Sequence, residues 1–149
     1  MNLFLPRGIR NNNPGNIRLN NIKWQGQRHE GASDKSFVEF TSALLGLRAL
    51  MVLLLTYYFK YELDNVEAIV NRYAPPNENT TDNYIHFICT KLKVKRQQKL
   101  NLLCSRCLSD LAKAIVLYEN GKSFYEEYEF WYSADLYQQA AKMALGKRR

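Results

Sequence analysis

One carboxylate in this chain sits where acid–base chemistry could use it. In Leu111–Gly121, LAKAIVLYENG, the apolar residues Leu111, Ala112, Ile115 and Val116 recur at helical spacing. Asn120-Gly121 should end that helix, because both residue types accept the left-handed backbone of a helix C-terminus. Glu119 then falls in the last turn, against the negative end of the helix dipole. That position disfavours a charged carboxylate, and apolar surroundings would add desolvation. A carboxyl kept protonated near neutral pH is what a glycosidase general acid requires. The plainer alternative is a solvated glutamate beside an ordinary Asn-Gly cap.

A second cluster of polar residues lies at the other end of the chain. Residues 7–18 read RGIRNNNPGNIR, turn-rich and without periodicity. Asparagines here can bond the local backbone. They can equally line a cleft as fixed amide donors and acceptors, which makes Asn13 and Asn16 candidate sugar ligands. Ile17, Ile22, Trp24, Phe37, Val38 and Phe40 punctuate the polar stretch that follows, which contains Gly26 and Gly31. This pattern predicts a short irregular β-hairpin, with Trp24 as a core plug or a sugar-stacking platform.

Helices must position these groups. Thr41 or Ser42 can cap a helix running to about Tyr61, in which Gly46 would permit a close helix contact. Asp64-Asn65-Val66-Glu67 resembles a capping box and opens a helix to Asn71 or Arg72. Tyr73-Ala74-Pro75-Pro76 ends it, since a residue before proline avoids helical geometry. Thr80 or Thr81 should cap the next helix, with Tyr84, Ile85, Ile88 and Leu92 on one side. A basic linker from Lys91 to Lys99 leads to a long helix, Leu100–Glu119. Ser123–Glu126 can cap a further stretch, and Leu136–Leu145 is the last helix. No internal repeat or linker divides the chain, so residues 1–149 read as a single, mainly α (α+β) domain.

The 149 residues are 46% hydrophobic and 13% aromatic, enough for a core, with net charge +7 and pI about 9.4. A basic surface suits a polyanion: nucleic acid, an anionic membrane or a bacterial cell wall. Nucleic acid ranks last, because no helix-turn-helix or other reading head is visible. No signal peptide is expected, because Pro6 and Arg7 interrupt the start before an apolar region develops. Ala49–Leu55 is too short to span a bilayer and reads as a buried core helix. Cys104 and Cys107 form a CxxC within a helical pattern. Without a second ligand pair they read as small core residues, and no metal or cofactor is expected.

Arg7–Arg18, Trp24-Gln25-Gly26, Phe37–Phe40, Gly46–Ala49 and Tyr73–Tyr84 together resemble a family found in phages and prophages, whose members are usually labelled virion structural proteins. Parts of the pattern also resemble the lysozyme superfamily. Asn13–Arg18, the later Trp-x-Gly and Phe37–Phe40 are similar to the cleft of flagellar-type glucosaminidases. Pro75–Thr80 with Tyr84-Ile85 resembles a segment near the end of lytic transglycosylase domains. That second likeness implies a lysozyme-like helical fold and places Glu78 at the cleft floor, although between Pro-Pro and a helix start it can also accept backbone N–H bonds. Tyr73 and Tyr84 either border the sugar site or belong to the core. In those enzymes the catalytic Glu precedes the cleft segment, whereas the first acid here is Glu30. A circular permutation that moved the first helix to the end of the chain would place Glu119 in that role.

The resemblance implies a peptidoglycan glycosidase, a lytic transglycosylase or muramidase, acting on the glycan strand through Glu119. A hydrolase would need a partner carboxylate, for which Glu30, Asp34 and Glu39 are candidates. Such a protein would be made in the cytoplasm and reach the wall within a virion or through a holin-opened membrane. The alternative is a non-enzymatic virion component of lysozyme-like shape that binds glycan or other virion proteins.

Overall fold

The computed structural model describes residues 5–74, 77–125 and 127–147, except the side chains of Glu78, Asn79 and Lys147. Among the described residues six helices follow one another: α1 (Arg7–Arg10), α2 (Ala43–Lys60), α3 (Val66–Tyr73), α4 (Glu78–Leu92), α5 (Ser105–Asn120) and α6 (Ala134–Lys147). The protein is mainly helical.

Helix α2 is the centre. Leu47, Leu50, Met51, Leu54 and Leu55 are fully buried and join α5 and α6 in the main core. Its most extensive packing is against α6. A second face, Leu45, Ala49 and Leu53 at four-residue spacing, packs under the N-terminal loop against Ile17, Val38 and Phe40. Burial on two faces explains the nearly unbroken apolar run. By length and composition α2 could cross a membrane. In this fold it is the core helix.

The helix starts follow side-chain capping. Ser42 accepts from the Leu45 N–H, and Asn65 from the Ala68 N–H. Helix α4 begins before the predicted threonines, because Asn77 is its cap and accepts from the Thr80 N–H. The predicted helix Leu100–Glu119 loses its first turn. Leu100 and Leu102, two residues apart, are both buried, and the Leu100 N–H bonds the Asp64 carbonyl. Helix α5 therefore starts after Cys104, which is exposed, with Cys107 half-buried. Neither cysteine is the core residue its helical pattern suggested. The further helix expected from Ser123 is replaced by turns among the described residues, where the Ser123 hydroxyl accepts from the Tyr125 N–H. Glu126 lies outside the described residues.

The expected hairpin is reduced to two isolated antiparallel bridges, Arg18–Phe37 and Gln27–Phe40. Side chains hold this region where a ladder would have done so. Asn13, fully buried, donates to the Ile17 and Val38 carbonyls (3.0 and 2.8 Å) and accepts from the Ile17 N–H. Both of its amide N–H groups are spent and none of the residue is exposed, so Asn13 acts as a scaffold here with no donor left for a sugar.

Candidate functional site

The end of α5 meets the Asn-Pro-Gly-Asn turn from the opposite end of the chain. Asn120 donates to the Pro14 carbonyl (2.8 Å) and to the Val116 carbonyl (2.9 Å), tying the turn to the helix. Tyr73, at the end of α3, donates its hydroxyl to the Gly15 carbonyl. Asn16 adopts φ 52°, in the left-handed region that asparagine tolerates better than most residues. That conformation aims its amide at Glu119.

Glu119 is half-buried and fixed by two donors. Asn16 Nδ2 reaches Oε1 at 2.9 Å, and the Tyr84 hydroxyl reaches Oε2 at 2.8 Å. Tyr84, from α4, is buried and stacks on Tyr118 with ring centroids 3.8 Å apart. One carboxylate thus joins α5, α4 and the N-terminal turn.

Helix α1 fits behind this junction because of Gly8. A methyl group there would stand 2.5 Å from Asn120 Oδ1 and 2.9 Å from Asn16 Oδ1. Any larger residue would push apart the two asparagines that set the turn against α5.

Glu119 opens onto a cleft of 510 Å³. One wall is the loop carrying Gly15, Asn16, Ile17 and Arg18, with Trp24 and Phe37. The other carries Leu53 and Tyr57 of α2 and Arg72 and Tyr73 of α3. Trp24 also packs against both apolar cores, so it is a core contact and a cleft residue at once. Tyr84 lies behind Glu119 as its hydrogen-bonding partner, outside the cleft lining. The Glu78 side chain lies outside the described residues.

The other candidate acids serve the loop. Asp34 accepts from the Ser36 and Phe37 N–H groups and from Asn11. The Ser36 N–H, foremost among these donors, holds its carboxyl below the usual carboxylate range despite some desolvation. Glu39 Oε2 accepts from the Ser33 and Asp34 N–H groups, and Glu30 is exposed. Among the described residues lining the cleft, Glu119 is the one carboxylate.

Burial raises the Tyr73 and Tyr84 phenols well above their ordinary value of 10.0, and Glu119 beside them adds to the shift. Ionisation is therefore easier in the unfolded chain. The stabilisation is fully present below pH 10 and is lost as pH rises past that value towards the folded one. A spectrophotometric titration should show these phenols ionising only as the helical circular dichroism collapses. Uniform ionisation of all ten tyrosines near pH 10 in folded protein would contradict the buried placement.

Sequence reasoning missed Asn120, which it read as a cap alone. A helix-ending Asn is a local signal, whereas its bond to Pro14 joins residues 106 positions apart.

No family model matches the chain. The chain is 40% identical over 122 residues to Protein P5 of Pseudoalteromonas phage PM2, a match that covers 80% of this chain and 74% of that protein. This similarity, at that coverage, makes the chain a member of the same phage protein family as Protein P5.

Proposed function

We propose that this protein is a lysozyme-like glycosidase that cleaves the glycan strand of peptidoglycan with Glu119 as its single acid–base residue. The observation that carries the reading is a cleft-lining carboxylate held by two donors, Asn16 and Tyr84, with no second carboxylate among the described lining residues. This arrangement favours a lytic transglycosylase over a hydrolase, which would need a partner acid or base for water. Glu119 gives its proton to the glycosidic oxygen between N-acetylmuramic acid and N-acetylglucosamine as the C1–O bond breaks. The C6 hydroxyl of the same muramic residue then bonds to C1, and its proton passes to the Glu119 carboxylate. The product carries an anhydromuramic end, no water is consumed, and the acid is regenerated.

Chain order supports a permuted version of the lysozyme plan. The helix bearing the acid follows the cleft loop in sequence, with Asn16 and Glu119 separated by 103 positions yet hydrogen-bonded. Membership of a phage protein family suits an enzyme carried to the wall in a virion or released through a holin-opened membrane. Association with other virion proteins fits the same origin.

The test is digestion of purified peptidoglycan with products read by mass spectrometry. Anhydromuramic ends are expected. Reducing ends would replace the transglycosylase assignment by hydrolysis. No products from well-folded protein would favour the non-enzymatic virion component.

A further inference from the structure

Two arginines line the cleft without an ion pair among the described residues. Arg18 follows the turn that carries Asn16, and Arg72 precedes Tyr73 at the end of α3. Both are exposed. Neither guanidinium has an ion pair or hydrogen bond among the described residues, whereas Arg7 pairs with Asp34, and Arg96 with Glu67 and Asp82. Aromatic faces hold them instead. The Arg18 guanidinium carbon lies 4.7 Å from the Phe37 ring centroid. That of Arg72 lies 3.7 Å from Tyr61 and 5.4 Å from Tyr57. Stacking restrains the planar fork while leaving its N–H groups available for a carboxylate, a geometry that lysine could not reproduce.

The charge inventory of the cleft points the same way. Its described lining holds two guanidinium groups against one carboxylate, and both oxygens of that carboxylate already accept hydrogen bonds. A neutral ligand would leave the two cations without partners. An anionic one would pair with them through charge-assisted hydrogen bonds.

We propose that Arg18 and Arg72 make this cleft selective for an acidic glycan, binding a carboxylate carried by the muramic acid or by its peptide stem. The proposal rests on the glycan-cleaving reading above and names the feature of the strand that the cleft recognises. The arginines determine specificity and take no part in proton transfer. Chitin-type oligosaccharides, which share the acetamido sugars but lack the carboxylate, should bind poorly.

Calorimetric titrations test this, made on Glu119→Gln protein so that ligands stay intact. The ligands are chitotetraose, a de-peptidated tetrasaccharide of alternating N-acetylglucosamine and N-acetylmuramic acid, and its peptide-bearing counterpart. At least one acidic ligand should bind about tenfold tighter than chitotetraose at low salt. That preference should shrink with added salt and in Arg18→Gln and Arg72→Gln variants of unchanged melting temperature. A preference shown by the de-peptidated glycan assigns the lactyl carboxylate, and one confined to the peptide-bearing glycan assigns the stem. Equal binding of chitotetraose and both acidic glycans, or a preference that survives in both arginine variants, overturns the proposal while leaving the glycan reading standing. No binding of any of the three to folded protein overturns both.

Discussion

Under the proposed glycosidase reading, Glu119→Gln is expected to lower peptidoglycan cleavage about a thousandfold while leaving the fold intact, the scale set by removing a positioned general acid. The change is nearly isosteric. The amide oxygen can still accept from Asn16, and the amide nitrogen can donate to the Tyr84 oxygen, because a phenol is both donor and acceptor. The two bonds that pin Glu119 (2.9 and 2.8 Å) therefore have replacements, and stability should change by no more than about 1 kcal/mol. Only the transferable proton is gone. Glu119→Asp separates chemistry from placement. It keeps the carboxyl but withdraws it by about one methylene from a site where displacements near 1 Å cost on the order of a hundredfold. The measurement is initial release of soluble muropeptides by folded proteins matched in melting temperature. A Glu119→Gln protein working at the wild-type rate would remove Glu119 from the mechanism.

Much of the helical framework was legible because periodicity and caps are local. The Ser42 cap and the Asn120-Gly121 stop stand where residue type places them, and Gly121 takes φ 77°. The capping box read over Asp64–Glu67 is shifted by one residue, because Asn65 is the cap and the Glu67 carboxylate is taken by Arg96 and Gln97. Glu119 was placed in the last turn of its helix by the same local logic. Errors arose where tertiary contacts overrode the pattern. Leu100 and Leu102 fall within the run read as helix, yet irregular backbone with a turn at Leu102 buries both and gives the Leu100 N–H to Asp64. Apolar residues punctuating the polar stretch from Ile17 to Phe40 suggested a hairpin, but the buried Asn13 side chain supplies bonds that would otherwise come from a ladder.

The candidate site was legible in its parts and not in its assembly. Asn16, Tyr73, Tyr84 and Glu119 were all singled out, but the bonds that join Asn16 and Tyr84 to Glu119, and Tyr73 to Gly15, span from 35 to 103 positions of sequence. Nothing in one sequence distinguishes Asn13, which faces inward, from Asn16, which faces Glu119. The difference is one of backbone: Asn16 takes a positive φ and Asn13 does not. Tyr84 was ambiguous between core and site because it is both. Its ring stacks in the interior while its hydroxyl reaches the carboxylate.

Gly46→Ala is expected to destabilise the protein by about 3 kcal/mol, even though alanine is the better helix former. Gly46 lies in the first turns of α2, where the chain that leaves α1 crosses it. A methyl group at Gly46 would land on the Asn12 carbonyl oxygen, well inside van der Waals contact. It would also stand 2.9 Å from the Asn12 carbonyl carbon and 3.1 Å from Pro14 Cδ. The sequence suggested a close contact between helices here; the observed neighbour is the N-terminal loop. Neither obstacle is a flexible side-chain end. Asn12 has φ 52° and its side chain donates to the Phe40 carbonyl, so the loop cannot easily yield. Gly146→Ala, near the end of α6 with nothing within 4 Å of the added methyl, provides the opposite sign: a gain of a few tenths of a kcal/mol from helix propensity. Thermal melts should therefore show a drop of about 10 °C for the first variant and a slight rise for the second. If Gly46→Ala melted at or above wild type, the loop could not be seated on α2 as observed, and the placement of Asn16 beside Glu119 would fall with it. Displacing Pro14 also strains the Asn120 bond to its carbonyl. Under the proposed reading, cleavage by Gly46→Ala should consequently fall more than the folded fraction does, because the turn that carries Asn16 is built directly on the residues the methyl group would move.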